Sequence, residues 1–375
     1  MISFSTQESL AIFASAMTRK KKQENNVIVW LRNIKPRHYV LTVLLLIVTL
    51  FQFVHGWGEF YARHLYPLIA GPLSWLTAKV PFCLSDCFYL LAITVLTGYF
   101  ITGFFIRKKK KLHTLGVLLE SALWLHVWFY LAWGLNYWQR DFYQRTGIPR
   151  AEFSEKAFQA FVDDYVERLN NSYIAFDSIS CTEVRDKVVH SYNQIYNNLG
   201  IHRPFNQDPQ VKTMLITPLA SMVGVTGSMG PLFSEFTLNG DVLPQDYPHT
   251  YAHELSHLMG ITTEAEANFY AYQACINATD KRIRFSGYLS IYTHVVNNVH
   301  ALLGEAAYAR FIKRVRPEIK QLVLAHSQYW QSKYNPTIGH IQDRLYDLYL
   351  RSHHVSEGRK NYSQVIGLLI SYQNK

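Results

Sequence analysis

The sequence predicts an α-helical membrane anchor of three transmembrane helices followed by a mainly α, α+β soluble domain. Three observations carry this. Long uncharged runs crowd the first third of the 375 residues, the basic excess is confined to two short blocks, and the rest of the chain shows helical periodicity, capping residues and two short β-rich stretches. We divide the chain into a cytoplasmic N-terminal segment, 1–38, a three-helix transmembrane region, 39–138, and an exoplasmic domain, 139–375.

The first uncharged run extends from Val40 to Gly58, which at about 1.5 Å per helical residue crosses most of a bilayer core. It is too long for a cleaved signal peptide, and no small-x-small cleavage site follows it. A second run, Cys87 to Ile106, stops at Arg107 and Lys108 to Lys111. The third, Thr114 to Tyr137, is interrupted by Glu120 and His126 and grows rich in tryptophan toward its end, as a membrane-interface belt does. Between the first two, Tyr66 to Pro81 is apolar but broken by Pro67, Gly71, Pro72 and Pro81, and reads as an interfacial or re-entrant loop.

The formal net charge is +10, and two clusters account for it: Arg19 to Lys22 with Arg32, Lys35 and Arg37, offset by Glu8 and Glu24, and the block at 107–111. Basic residues flanking apolar spans are retained on the cytoplasmic side, so the expected location is the bacterial cytoplasmic (inner) membrane, multi-pass, with the C-terminal domain facing the periplasm or exterior. The remainder is formally neutral, so we expect no nucleic-acid partner. The four cysteines lack zinc-ribbon spacing. A Cys181 to Cys275 disulfide and two buried thiols both remain open readings.

In the soluble part, Ser154 followed by Phe158, Phe161, Val162 and Tyr165 reads as a capped amphipathic helix. Ser180 and Glu183 form a capping-box start, and Gly200 a stop. Two strands are expected at Val211 to Thr217 and Phe233 to Leu238, joined through Gly224, Gly227 and Gly230. Ser234 to Leu238 is the candidate edge strand for an extended substrate.

The chemistry resides in His253-Glu254-Leu255-Ser256-His257, on a helix opened by Pro248 and closed by Gly260. Histidines at i and i+4 share one face and reach one ion, while Glu254 is offset toward the open side, where a carboxylate takes a proton from an activated water. A third ligand is needed. We favour Glu264, with Glu266 in reserve, and Asn268 one turn beyond Glu264 is placed to brace a ligating histidine. His249 reads as an exposed helix-start residue, and Tyr288, Tyr292, His294 and Tyr362 are candidates to stabilise an oxyanion.

This constellation resembles the gluzincin metallopeptidases, in which a second motif Glu-x-x-x-Asp supplies the glutamate ligand; here Asn268 replaces the aspartate. The whole layout is similar to an uncharacterised bacterial family, common in Bacteroidota, of three-pass proteins with an HExxH domain, through Trp133-Gly-Leu-Asn-Tyr137, HELSHLMG and EAEANFYAY. The resemblance implies a zincin-like domain and a zinc metallopeptidase of unknown substrate.

The expected function is peptide-bond hydrolysis on a peptide or protein substrate, with Zn2+ held by His253, His257 and Glu264 and with Glu254 as general base. Two alternatives stand beside it: a non-catalytic, metal-stabilised membrane sensor or assembly factor, and a zinc amidase acting on cell-wall amide bonds. Oligomeric state is not legible.

Overall fold

A computed structural model of the chain describes residues 35–106, 111–152, 154–176, 178–340, 342–344 and 364–374. It is mostly helical and divides into two compact units, Met1–Leu50 and Phe51–Lys375. In the first, the described residues belong to helix α1, Pro36–Phe53. Proline opens it where no N–H donor is needed, and Thr42 and Thr49 turn their hydroxyls back onto the carbonyls of His38 and Leu45.

The second unit begins with a helical turn at Trp57–Phe60 and a π-helical stretch at Tyr61–Leu65, which lead into α2, Tyr66–Thr77. The loop expected over 66–81 is therefore largely a helix. Pro67 sits in its first turn, and Pro72 is accommodated because Tyr66, Ala70, Ser74 and Thr77 bury one continuous face.

Next come α3, Leu84–Ile101, extended by a wider turn at Thr102–Ile106, and α4, Lys111–Ala132. Gly103 lets Thr114 approach so closely that a Cβ there would overlap it, which draws the two helices together beside the basic block. With α1, these are three helices long and apolar enough to cross a membrane, and only 6% to 17% of each span is buried within the protein. Their outward apolar surfaces suit lipid rather than water. The boundaries differ from those read in sequence: α1 ends at Phe53, α3 starts at Leu84, and α4 gives way after Ala132 to a 3-10 turn, Gly134–Trp138. There Asn136 donates its side-chain amide to Trp133 O.

Beyond this turn follow α5, Phe142–Thr146, α6, Glu155–Ser172, and α7, Cys181–Leu199. The local signals hold. Ser154 caps α6, the Ser180–Glu183 capping box closes reciprocally on α7, and Gly200 ends α7 in the left-handed conformation.

The sheet departs from expectation. Strand β1 is only Lys212–Thr213, because Pro218 helps start a helix, α8, Thr217–Met222. The glycine-rich connection itself forms β2, Gly227–Gly230, antiparallel to β3, Glu235–Leu238, and β1 pairs parallel with β3 on the other side. The order β1-β3-β2 makes β3 the buried centre and β2 an edge, so Ser234–Leu238 is not the edge strand.

The remaining elements are α9, Tyr247–Leu258, α10, Glu264–Ile276, α11, Lys281–Ser290, α12, Tyr292–Arg314, α13, Pro317–Lys333, and α14, Gln364–Gln373. Helix α10 is buried nearly all round and packs on α7, α9, α11 and α14, so it is the core of the unit. Phe142, Phe158, Tyr192, Phe269 and Phe285 fill the space about it.

One buried node ties the membrane-length helices to the sheet. Glu235 Oε1 accepts from Ser85 N at 2.6 Å and Ser85 Oγ at 2.9 Å, in the first turn of α3, and its other oxygen pairs with Lys212 on β1. Both side chains of the ion pair are almost wholly buried. Glu235→Ala strands Lys212 and leaves a helix start unpaired, which we expect to cost about 3–5 kcal/mol. Replacing both residues with leucine and methionine is expected to restore most of that stability, as read by thermal unfolding of the detergent-solubilised full chain.

Candidate metal centre

Helix α9 presents His253 and His257 one turn apart. Gly260, at φ 98°, then reverses the chain, with Gly260 N bonded to His257 O and Ile261 N to Ser256 O. Thr263 caps α10 by accepting from Glu266 N, so Glu264 is the first residue of that helix and returns directly to the histidines. The Nε2 atoms of His253 and His257 lie 3.1 Å apart, and Glu264 Oε2 is 3.0 Å from the first and 3.8 Å from the second. One ligand atom from each residue falls within 4.8 Å of the others.

The outward ring nitrogens are held as well. His253 Nδ1 is 3.0 Å from Asn268 Oδ1 and His257 Nδ1 is 2.7 Å from Ile261 O. Ile261 O can only accept, and Asn268 presents its carbonyl oxygen, so each ring donates from Nδ1 and turns the Nε2 lone pair inward. Two imidazole Nε2 atoms and a carboxylate then face one point, which a shared proton or a cation would hold together. The donor set fits a divalent metal with an open coordination position.

The charge states follow the burial. Burial alone would raise Glu264, yet its pairing with His253 and His257 holds it well below the usual carboxylate range. For His257, burial works downward, but Glu264, followed by Glu254, carries it up to about 9. Glu254 is raised by its own burial and by Glu264, against the pull of the two imidazoles. It lies against β2, and a Cβ on Gly227 would overlap its carboxylate, which is why that edge strand carries glycine.

These groups open onto a cavity of about 550 Å³ walled by the 223–229 segment, Trp133, Tyr137, His249 and Gln342. His249 is buried, not exposed as its position near the helix start implied, because the preceding turn packs inward and its own N–H bonds Ser286 Oγ. Burial, then His253 and His294, holds its imidazole neutral, with a pKa down to about 3. Its Nε2 has no hydrogen-bond partner among the described residues. Tyr288, Tyr292 and His294 do not line the cavity, and Tyr362 lies outside the described residues. Glu120 and His126, on α4, do not line it either.

Glu266 is excluded as a ligand by helix geometry. Two residues on a helix point about 200° apart, and Glu266 turns away to accept from Phe142 N at 2.9 Å and to pair with Arg145, which also donates to Tyr270 at 3.1 Å. All four cysteines are free; Cys181 is exposed and Cys275 buried.

The segments that flank the membrane-length helices contribute directly. Trp133 Nε1 donates to His257 O at 3.0 Å, Tyr66 OH to Leu258 O at 2.7 Å, and Gln139 Nε2 to Gly260 O at 2.6 Å. Carbonyls at the end of α9 thus accept from residues of α2 and of the segment that follows α4. Sequence reasoning assigned Trp133 and Tyr137 to a membrane belt. The polar Asn136 and helix-breaking Gly134 between them were the available signal for a site.

The sequence pattern described as "Protein of unknown function (DUF3810)" matches residues 61–370, from the turn before α2 to α14. The chain belongs to this family. No curated protein and no solved structure was found to match the DUF3810 chain.

The two glutamates of α10 separate experimentally. Glu266→Ala leaves the Arg145 guanidinium buried without its carboxylate, and we expect a loss of about 3–5 kcal/mol in unfolding stability, with the near-ultraviolet signature of the folded state retained at low temperature.

Proposed function

We propose that the DUF3810 chain is a membrane-anchored zinc metallopeptidase, with a zincin-like domain, that hydrolyses peptide bonds. The observation that carries this reading is the convergence of two inward-facing Nε2 lone pairs and the Glu264 carboxylate next to a buried Glu254. His253, His257 and Glu264 are the residues that would hold zinc. When bound, the metal supplies a Lewis acid that lowers the pKa of water and polarises a carbonyl.

Glu254 takes the proton of the attacking water and delivers it to the leaving amine, a role that its raised pKa suits. Asn268 and Ile261 keep the two rings from rotating or changing tautomer. The 223–229 segment, which runs into edge strand β2, supplies main-chain groups along which an extended polypeptide lies. The buried, neutral imidazole of His249 forms part of the wall beside these groups.

Orientation follows from the same helices. The block Arg107 to Lys111 joins α3 to α4, whereas the site hangs from the other end of α4. Retention of the basic loop in the cytoplasm sets the site on the periplasmic or outer face of the bacterial cytoplasmic membrane.

A degenerate peptide library incubated with the full chain in detergent tests the activity. Cleavage is expected to vanish with a chelator and return with zinc. Glu254→Gln is expected to lower turnover by about 10²–10⁴-fold while zinc content is retained. Unchanged turnover in that variant refutes the mechanism, and turnover of cell-wall fragments without peptides reassigns the enzyme as an amidase.

Metal content separates the supporting residues. Glu264→Ala loses zinc and Glu266→Ala keeps it, and Asn268→Ala binds about 10–100-fold more weakly by competition with a chromophoric chelator. Gly227→Val is expected to displace Glu254, and so abolish turnover with zinc still bound.

A further inference from the structure

The chain carries no charged residue between Lys212 and Glu235. In this stretch Leu215, Ile216, Leu219 and Met222, in and just before α8, are between 38% and 50% exposed. Four large apolar side chains exposed within eight residues form a patch that water does not favour. The charge-free stretch continues into the 223–229 wall of the cavity and ends at β3.

Three contacts set this stretch at the level where α3 and α4 end. Leu215 N donates to Asp86 Oδ2 at 2.9 Å, in the first turn of α3. Phe233, in the turn between β2 and β3, packs its ring on Phe88 with centroids 5.6 Å apart, one helical turn into α3. Trp128 Nε1 donates to Leu232 O at 3.0 Å, one turn before the end of α4. Beside them Trp75 and Phe82 are exposed, and Lys79 Nζ lies over the Trp75 ring, a pairing that suits the headgroup layer.

We propose that residues 213–234 lie in the interfacial layer of the bilayer, with Leu215, Ile216, Leu219 and Met222 among the lipid chains, so that the catalytic cleft opens at the membrane surface. The occupant of the patch is phospholipid, because the patch is tied at Leu215 to the first turn of one membrane-length helix and the same charge-free stretch meets a second at Trp128. Amphipathic segments of this kind settle about 5–10 Å into the headgroup boundary. On the peptidase reading, on which this last step rests, the cleft takes juxtamembrane segments of polypeptides anchored in the same bilayer. A freely diffusing peptide must reach a cleft whose β2 wall adjoins lipid, whereas a membrane-tethered chain is already concentrated there.

Depth is measured first, and it does not depend on activity. An environment-sensitive fluorophore is attached to Leu219→Cys in a Cys87→Ser, Cys181→Ser background, with the full chain in phosphatidylcholine liposomes. Quenching by nitroxide-labelled phospholipid together with loss of iodide quenching is expected. Iodide quenching as strong as at a probe on Cys181, with none from the nitroxide lipid, overturns the proposal.

The substrate is tested with one fluorogenic peptide offered free and lipid-tethered. The wild type is expected to prefer the tethered form by about tenfold or more, and Leu219→Glu with Met222→Glu to lose that preference while turning over the free peptide as before. Equal rates on both forms in the wild type overturn the juxtamembrane assignment. Inactivity toward both counts against the peptidase reading, and the depth result still decides where the stretch lies.

Discussion

The structure depends on the reversal of the chain at Gly260, which returns a carboxylate to two imidazoles. Two imidazole lone pairs and a carboxylate are confined within 4.8 Å of one another under cover of β2 and α10. Leaving such groups buried together with neither a proton nor a cation between them is costly. The surrounding architecture nonetheless holds them in place: Gly260 turns the chain so that Glu264 comes back, Asn268 and Ile261 pin the rings, and Gly227 leaves room for Glu254. Together these features bring His253, His257 and Glu264 to one point beside Glu254.

The apolar helices are part of this scaffold rather than a tether to it. At the end of α9, Trp133, Tyr66 and Gln139 donate to three carbonyls in the interval from His257 to Gly260. Glu235 joins the start of α3 to the central strand of the sheet. The start of α3 and the end of α4 are thus bonded to the sheet and to α9, the elements that wall the cavity. Cutting the chain near residue 138 would remove hydrogen-bond partners of the metal helix, so the full chain is the unit on which to test function.

Much of the site was legible because its signals are local. The spacing of His253 and His257, the stop at Gly260 and the return at Glu264 all follow from helix periodicity and capping within a dozen residues. The caps of α6 and α7 were legible for the same reason. Other features turn on partners distant in sequence. Glu266 is consumed by Arg145, His249 is buried by the packing of α9, and Pro72 survives within a helix because α2 buries one face. The edge strand was misplaced because a glycine-rich run reads as a loop, and only the pairing order shows that β3 lies inside and β2 outside.

The sequence by itself determined the three membrane-length apolar segments, the helix that carries the histidines and the return of the chain at Glu264, since hydropathy, charge and helical spacing act over short separations. Tertiary structure alone decided that Trp133 and Tyr66 support the metal helix, that Glu254 lies beneath Gly227, and that the 213–234 stretch meets α3 and α4 at their ends. Those outcomes depend on which surfaces are brought together when the chain folds, and no window of adjacent residues contains that information.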